Sequence, residues 1–216
     1  MATIAVTDAI LTYADAQTRL QIQRATDPNF FWEWQTELPK LRPEEIDELG
    51  HLSRRYLSYI EAGEVSEGTL NLIVVAPLLN VLGLCDPPYR VRGEAWTQVR
   101  LDVDGDDGMV MLTGRIDALT LQEHIWLVVI EGKRGGFNVL QAVPRALAYM
   151  LGNPDTEQPS FGLVTNGYDY LFVKATQTPE RLYGLSENFT LLSGEQHNLK
   201  QVARILKRLV DVRMAG

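Results

Sequence analysis

Apolar residues recur at three- and four-residue spacing twice in the first half of the chain. From Pro43, a favoured first helical position, Ile46, Leu49, Leu52, Tyr56, Leu57 and Ile60 follow one another up to Gly63, with Glu44 and Glu45 in the first turn. The pattern predicts an amphipathic helix. A second helix is expected from about Ser66, where Leu70, Ile73, Val74, Pro77, Leu78, Val81 and Leu82 cover much of the circumference before Gly83 stops it. Such a helix belongs in the centre of a fold, and Glu67 stands at its start.

After Asp86-Pro87-Pro88 the period changes to two. Trp96 to Val103 alternates, Asp104-Gly105-Asp106-Asp107-Gly108 makes a turn, and a strand is predicted from Met109 to about Thr120. The acidic turn lacks the spaced ligands and the terminal glutamate of a calcium loop. Gln122-Glu123-His124 then reverses the chain into Ile125 to Lys133, apolar on both faces until its end, as expected of a sheet interior. Residues 138–151 read as a helix in which Pro144 makes a kink or marks the true first turn. Phe161 to Val173 reads as a hairpin around Asn166-Gly167, a pair that suits a type I′ turn. A strand near Phe189 and a basic amphipathic helix from Leu199 to Val212 close the pattern. Residues 1–28 show weak periodicity, consistent with a helix or a loosely held arm, and Phe30, Phe31, Trp32 and Trp34 read as a packing plug.

Helices, a run of strands, a helix, a hairpin and a helix predict an α/β fold mixed with antiparallel pairs. At 216 residues one main domain is expected over residues 41–216, with an N-terminal helical or irregular extension over 1–40. No apolar run reaches the length of a membrane helix, and the single Cys85 reads as a buried small apolar residue in a reducing, cytoplasmic setting. The net charge of −8 is uneven: residues 1–108 carry −9 and residues 109–216 carry +1. That balance counts against a non-specific nucleic-acid coat, but not against an enzyme holding cations between carboxylates. The second half is where an anionic partner can approach.

Asp117, Glu131 and Lys133 interrupt otherwise apolar strands. Side chains two apart share a face, so Glu131 and Lys133 point the same way. A turn centred on Glu123 pairs position 117 with 129, leaving Asp117 diagonal to Glu131, or directly opposite it after a slip of two. Two carboxylates suit a hard, oxygen-preferring ion, Mg²⁺ or Mn²⁺, and a neighbouring ammonium can position water or stabilise developing charge, which is the chemistry of phosphodiester hydrolysis. A strand-end salt-bridge network is the other reading of the same three residues, as a dipole-favoured first-turn glutamate is for Glu67. His51, His124 and His197 match no zinc spacing.

The chain resembles the PD-(D/E)XK nuclease superfamily, and more closely the N-terminal nuclease domain of type I restriction enzyme R subunits and short stand-alone bacterial relatives. The resemblance covers about residues 30–212. It is carried by Ser66-Glu67-Gly68-Thr69 with Pro77-Leu78-Leu79 and Leu82-Gly83, Gly114-Arg115-Ile116-Asp117, Val129-Ile130-Glu131-Gly132-Lys133, Gln141-Ala142 through Ala148-Tyr149-Met150, and Phe161 to Gly167. It implies a restriction-endonuclease-like fold, a central mixed β-sheet flanked by helices. Asp117, Glu131 and Glu67 are then metal ligands and Lys133 the catalytic lysine, with Gln141 supporting. Related nucleases often place Gln-x-x-x-Tyr on the helix after the lysine strand. Here Arg145 stands at the Gln position ahead of Tyr149, so either Gln141 takes that role or Arg145 binds phosphate; Arg145, Tyr149 and Arg134 are the candidate nucleic-acid contacts.

The expectation is a cytoplasmic, Mg²⁺-dependent DNA endonuclease of restriction type. DNA is the expected partner, with a homodimer or other restriction-system subunits in support, no membrane, and no nucleotide motor in this chain, which lacks a phosphate-binding loop. The alternatives are a nuclease-fold DNA-binding or assembly module with little turnover, and an interaction protein whose carboxylates form only structural pairs. The basic face of the last helix reads as solvated rather than as a DNA-contacting ridge.

Overall fold

A computed structural model describes residues 3–63, 65–92, 96–101, 110–115, 118–121, 125–129, 138–191 and 197–214. Its centre is a seven-stranded mixed sheet flanked by helices on both faces, the α/β arrangement the pattern predicts. In chain order the elements are β1 (Thr3–Ala5), α1 (Val6–Ala9), α2 (Tyr13–Arg19), β2 (Gln23–Arg24), a 3₁₀ turn at Trp32–Trp34, and α3 (Pro43–Ala62). Then come α4 (Glu67–Leu70), a π-helical turn at Asn71–Val75, α5 (Ala76–Val81), β3 (Val91–Arg92), β4 (Trp96–Leu101), β5 (Val110–Arg115), β6 (Ala118–Leu121) and β7 (Ile125–Val129). A 3₁₀ turn at Val139–Ala142, α6 (Val143–Met150), β8 (Ser160–Thr165), β9 (Asp169–Ala175), β10 (Leu182–Thr190) and α7 (His197–Met214) complete them.

The large sheet runs β2-β10-β9-β8-β7-β6-β3, and a small sheet runs β1-β5-β4. In the large sheet β7 is parallel to β8 and β2 to β10, and the other pairs are antiparallel. The strand expected from Met109 to Thr120 is therefore two strands in two sheets: β5 pairs with β4 and β1, whereas β6 pairs with β7 and β3. Alternation along the central strands loads both faces. Phe161, Leu163, Tyr170, Phe172 and Phe189 face a core closed by α3, α5 and α7, while Val164, Leu171, Val173 and Ala175 face one closed by α1, α2 and α6.

The helix predicted from Ser66 is one run with a wider turn inside it. Ser66 caps it by accepting a hydrogen bond from the Thr69 N–H. Pro77 lacks an N–H and crowds the preceding turn, and the helix widens just before it, with the Ala76 N–H bonding the Asn71 carbonyl five residues back. Pro144 occupies the first turn of α6, so the expected helix from 138 is a 3₁₀ turn followed by a true start at Val143.

Residues 3–24 are not a loose arm. Val6, Ile10, Leu20 and Ile22 are fully buried, β1 extends the small sheet, β2 pairs with the edge of the large one, and Thr12 and Asp15 form a capping box at the start of α2. The aromatic cluster is a plug, as expected: Phe31 stacks on Phe161 and Trp34 meets Phe189 edge-on. Cys85 is exposed, contrary to expectation, because the preceding Leu84 fills the core position in the turn after α5; burial of part of the thiol and nearby Asp86 push its pKa up. Nor is the Asn166-Gly167 connection a two-residue turn. Thr165 pairs with Tyr170 across four residues, and the Asn166 side chain accepts from the N–H groups of Tyr168 and Asp169. No helix among the described residues is long and apolar enough to cross a membrane.

Candidate functional site

The sheet order brings three parts of the chain to one end of the large sheet. Val129, the last residue of β7, pairs with Thr165, the last residue of β8. The neighbouring Asn166 carbonyl accepts a hydrogen bond of 2.8 Å from the Tyr56 hydroxyl near the end of α3, and the Tyr56 and Tyr168 rings meet edge-on. Burial beside Tyr168 and Asp169 holds the Tyr56 phenol well above its usual value, so it stays a donor. Gly167, in the left-handed region at φ 88°, lies so close that a Cβ there would overlap the Tyr56 ring. Four residues separate the end of α3 from Glu67, the half-buried first residue of α4, which is engaged in interactions of its own.

The β6–β7 hairpin has the expected register without a slip. Ala118 lies opposite Val128 and Leu121 opposite Ile125, the pairing of a turn centred on Glu123. Asp117, Glu131, Lys133 and Arg134 lie outside the described residues, as do the acidic turn at 104–108 and His124. Among the described residues no group of three His, Cys, Asp or Glu could hold a metal ion.

Beyond residues 130–137 the chain returns at Asn138, whose side chain caps the 3₁₀ turn by accepting from the Leu140 N–H. Gln141 is exposed on that turn and Arg145 is half-buried on α6; both line a hollow of about 530 Å³ together with Leu11, Tyr13 and Leu140. Tyr149 is 6 % exposed and belongs to the core beneath α6. Of Gln141, Arg145 and Tyr149, only the first two reach the surface; Tyr149, one α-helical turn after Arg145, is covered by the packing around α6.

A second hollow, of about 620 Å³, adjoins the first across Tyr13 and Leu140 and is lined by Arg24, Asn138, Tyr183, Ser186 and Asn188. Tyr13 is the shared wall. Its ring stacks on Tyr183 at 6.3 Å and its hydroxyl donates to the Leu140 carbonyl at 3.0 Å. Burial and Tyr183 raise its pKa to about 12 against the opposing effect of Arg24. The floor is opened by a bulge in β10 between Leu185 and Asn188, where the Ser186 hydroxyl replaces a backbone acceptor for the Phe172 N–H. These contributors were missed in the sequence, where Tyr13 and Arg24 sit in a stretch of weak periodicity.

The basic face of α7 is neither solvated nor a free ridge. The Arg204 guanidinium donates to the carbonyls of Leu38 and Pro39, Lys207 binds the buried Glu45 carboxylate at 2.8 Å, and Arg208 lies over the Trp32 ring. Those cations clamp the segment between the aromatic plug and α3. No family model matches the chain, and no curated protein matches it.

Proposed function

We propose that the protein is a metal-dependent DNA endonuclease of restriction type, built on a restriction-endonuclease-like core. The observation that carries this reading is the register of the central hairpin. β6 begins at the residue after Asp117, β7 ends two residues before Glu131, and Ala118 opposes Val128, so in sequence both acidic positions stand beside the paired ends of two neighbouring strands. The mixed sheet with helices on both faces, and the five sequence blocks that resemble the PD-(D/E)XK superfamily, support it further.

The donor set is all oxygen: Asp117, Glu131 and Glu67 would hold Mg²⁺ or Mn²⁺. Such an ion supplies polarisation of the phosphoryl oxygens and a more acidic bound water. In this reading Lys133 holds and orients the attacking water and offsets charge that develops on the phosphate, while Gln141 and Arg145 position the strand. Arg134, next in sequence to Lys133, adds a phosphate contact. Tyr149 supports the helix from within the core.

The test is nicking of supercoiled plasmid. Wild-type protein should relax it with Mg²⁺ or Mn²⁺ and not in EDTA, and Lys133→Ala and Asp117→Ala should each lower the rate at least about 100-fold. Metal-independent nicking, or a rate unchanged by both substitutions, would sink the proposal. DNA binding without turnover in any divalent ion would replace it with the assembly-module reading.

A further inference from the structure

The two hollows astride Tyr13 are made of the same ingredients. Each has the Tyr13 ring and Leu140 as a common wall, and each has one arginine, Arg24 in the larger and Arg145 in the smaller. Among the described residues no Asp or Glu lines either one, in a chain with 28 acidic residues. Nor, among the described residues, does either guanidinium have a hydrogen-bond or ion-pair partner, in contrast to the cations of α7. Each volume falls in the range of about 300–1,000 Å³ that accepts a ligand the size of a nucleotide.

The wall between the hollows is fixed before any ligand arrives. Tyr13 is held by its stack on Tyr183, by its hydroxyl bond to Leu140 and by the capping box of α2, and it still leaves 38 % of its surface open. Arg24 is held by the pairing of β2 with β10, which sets it beside Tyr183. A rigid ring flanked by two arginines suits a ligand that repeats a planar ring and an anion along its length.

We propose that these hollows are consecutive nucleotide subsites for a single DNA strand, with bases packed against Tyr13 and backbone phosphates at Arg24 and Arg145. The choice of polymer rests on the nuclease reading above. Residues 3–24 thereby become part of the substrate surface.

The test is fluorescence anisotropy with a labelled oligothymidylate and, as a second probe, an abasic oligomer of the same length, both in EDTA so that cleavage plays no part. Wild type should bind the oligothymidylate more tightly than the abasic backbone. Tyr13→Leu should weaken oligothymidylate binding roughly tenfold, with little effect on the abasic probe. Arg24→Ala, at an exposed position, should weaken both and reduce the salt dependence by about 0.7 in log–log slope. Tyr13→Phe keeps the ring but loses the bond to Leu140, and should bind between wild type and Tyr13→Leu. Arg54→Ala, on the opposite layer, reports loss of charge alone. If Tyr13→Leu and Arg24→Ala bind no worse than Arg54→Ala, or if wild type fails to bind the oligothymidylate, the inference is overturned even where plasmid is nicked. If both variants lose binding while no divalent ion supports nicking, the subsites stand and the catalytic reading falls.

Discussion

Under α3, α5 and α7 the large sheet presents Phe161, Tyr170, Phe172 and Phe189; under α1, α2 and α6 it presents Val164, Leu171, Val173 and Ala175. The first face is filled by rings and long aliphatic chains and sealed by two charged pairs, Lys174 with Glu33 at 2.6 Å and Lys207 with Glu45. On the second face Ala142, Ala146 and Ala148 let α6 approach closely, and the bulge in β10 leaves space that small side chains do not fill. One face spends its charges on itself. The other keeps two arginines without a partner among the described residues beside open hollows, so in the proposed reading stability and recognition are divided between opposite sides of one sheet.

The sharpest way to break that division is to strand a charge on the sealed face. Glu33 is 3 % and Lys174 8 % exposed, and the ammonium also donates to the Phe30 carbonyl at 2.8 Å and lies over the Phe30 ring. Lys174→Met leaves the Glu33 carboxylate buried without its cation, a loss expected at about 3–5 kcal/mol in urea denaturation. Adding Glu33→Gln should recover most of it, since the desolvation of a lone charge, not the attraction of the pair, dominates. Recovery of nothing would mean that the ammonium acts mainly through Phe30.

Next in size is the junction at the end of the sheet. Gly167→Ala places a methyl group into the Tyr56 ring at a left-handed φ, and about 1–3 kcal/mol of destabilisation is expected, read as a lower denaturation midpoint with an unchanged slope. The damage should spread to the proposed site, because Tyr56 and Asn166 tie α3 to the end of β8. Plasmid nicking should fall by more than the loss of folded protein accounts for.

The two faces were also unequally legible. α3 and α7 could be read because twenty and eighteen residues of regular period outweigh any single neighbour, and the β8–β9 hairpin because apolar runs flank Asn-Gly, although the turn is longer than that pair implies. Residues 3–24 could not. A four-residue helix and a two-residue strand have no independent stability, and they exist here because β5, α6 and β10 are already in place. The hollow at Tyr13 shares the same obscurity: Tyr13 meets Leu140 across 127 residues, which no local pattern encodes. The register of the β6–β7 hairpin, by contrast, follows from the turn length alone, while Asp117 and Glu131, which stand out in the sequence by their intrusion into apolar runs, lie outside the described residues. The cations of α7 were misread because amphipathicity reports that a face is polar, not which carbonyls and carboxylates will meet it.

A smaller effect sharpens the recognition side. Thr12 accepts from the Asp15 N–H at 3.1 Å while Asp15 accepts from the Thr12 N–H at 2.9 Å, and the pair fixes the helix that carries Tyr13. Thr12→Ala should cost about 1 kcal/mol of stability. Its effect on oligothymidylate affinity should nonetheless be larger than that of Lys174→Met measured on folded protein, because the cap acts on the wall of the hollows and the buried pair acts on the far side of the sheet. Equal effects would erase the division between the faces.

The smallest expected effect is a matter of pH, and it returns to the sealed face. Burial pushes the Glu45 carboxyl up, but the Lys207 hydrogen bond, the Arg42 N–H and the two neighbouring cations outweigh it and hold the group below its ordinary value of 4.5. The unfolded chain therefore takes up the proton before the folded one does. The stabilisation from Glu45 is complete above the unfolded value and is lost as pH falls through the lower folded value. Wild type should thus melt above Glu45→Gln at pH 6, and the gap should narrow steadily as the pH is lowered past about 4.5. A gap of constant size across that range would show that the carboxylate holds α3 to α7 through shape and neutral hydrogen bonds, and the sealed face would then owe less to charge than the open one does.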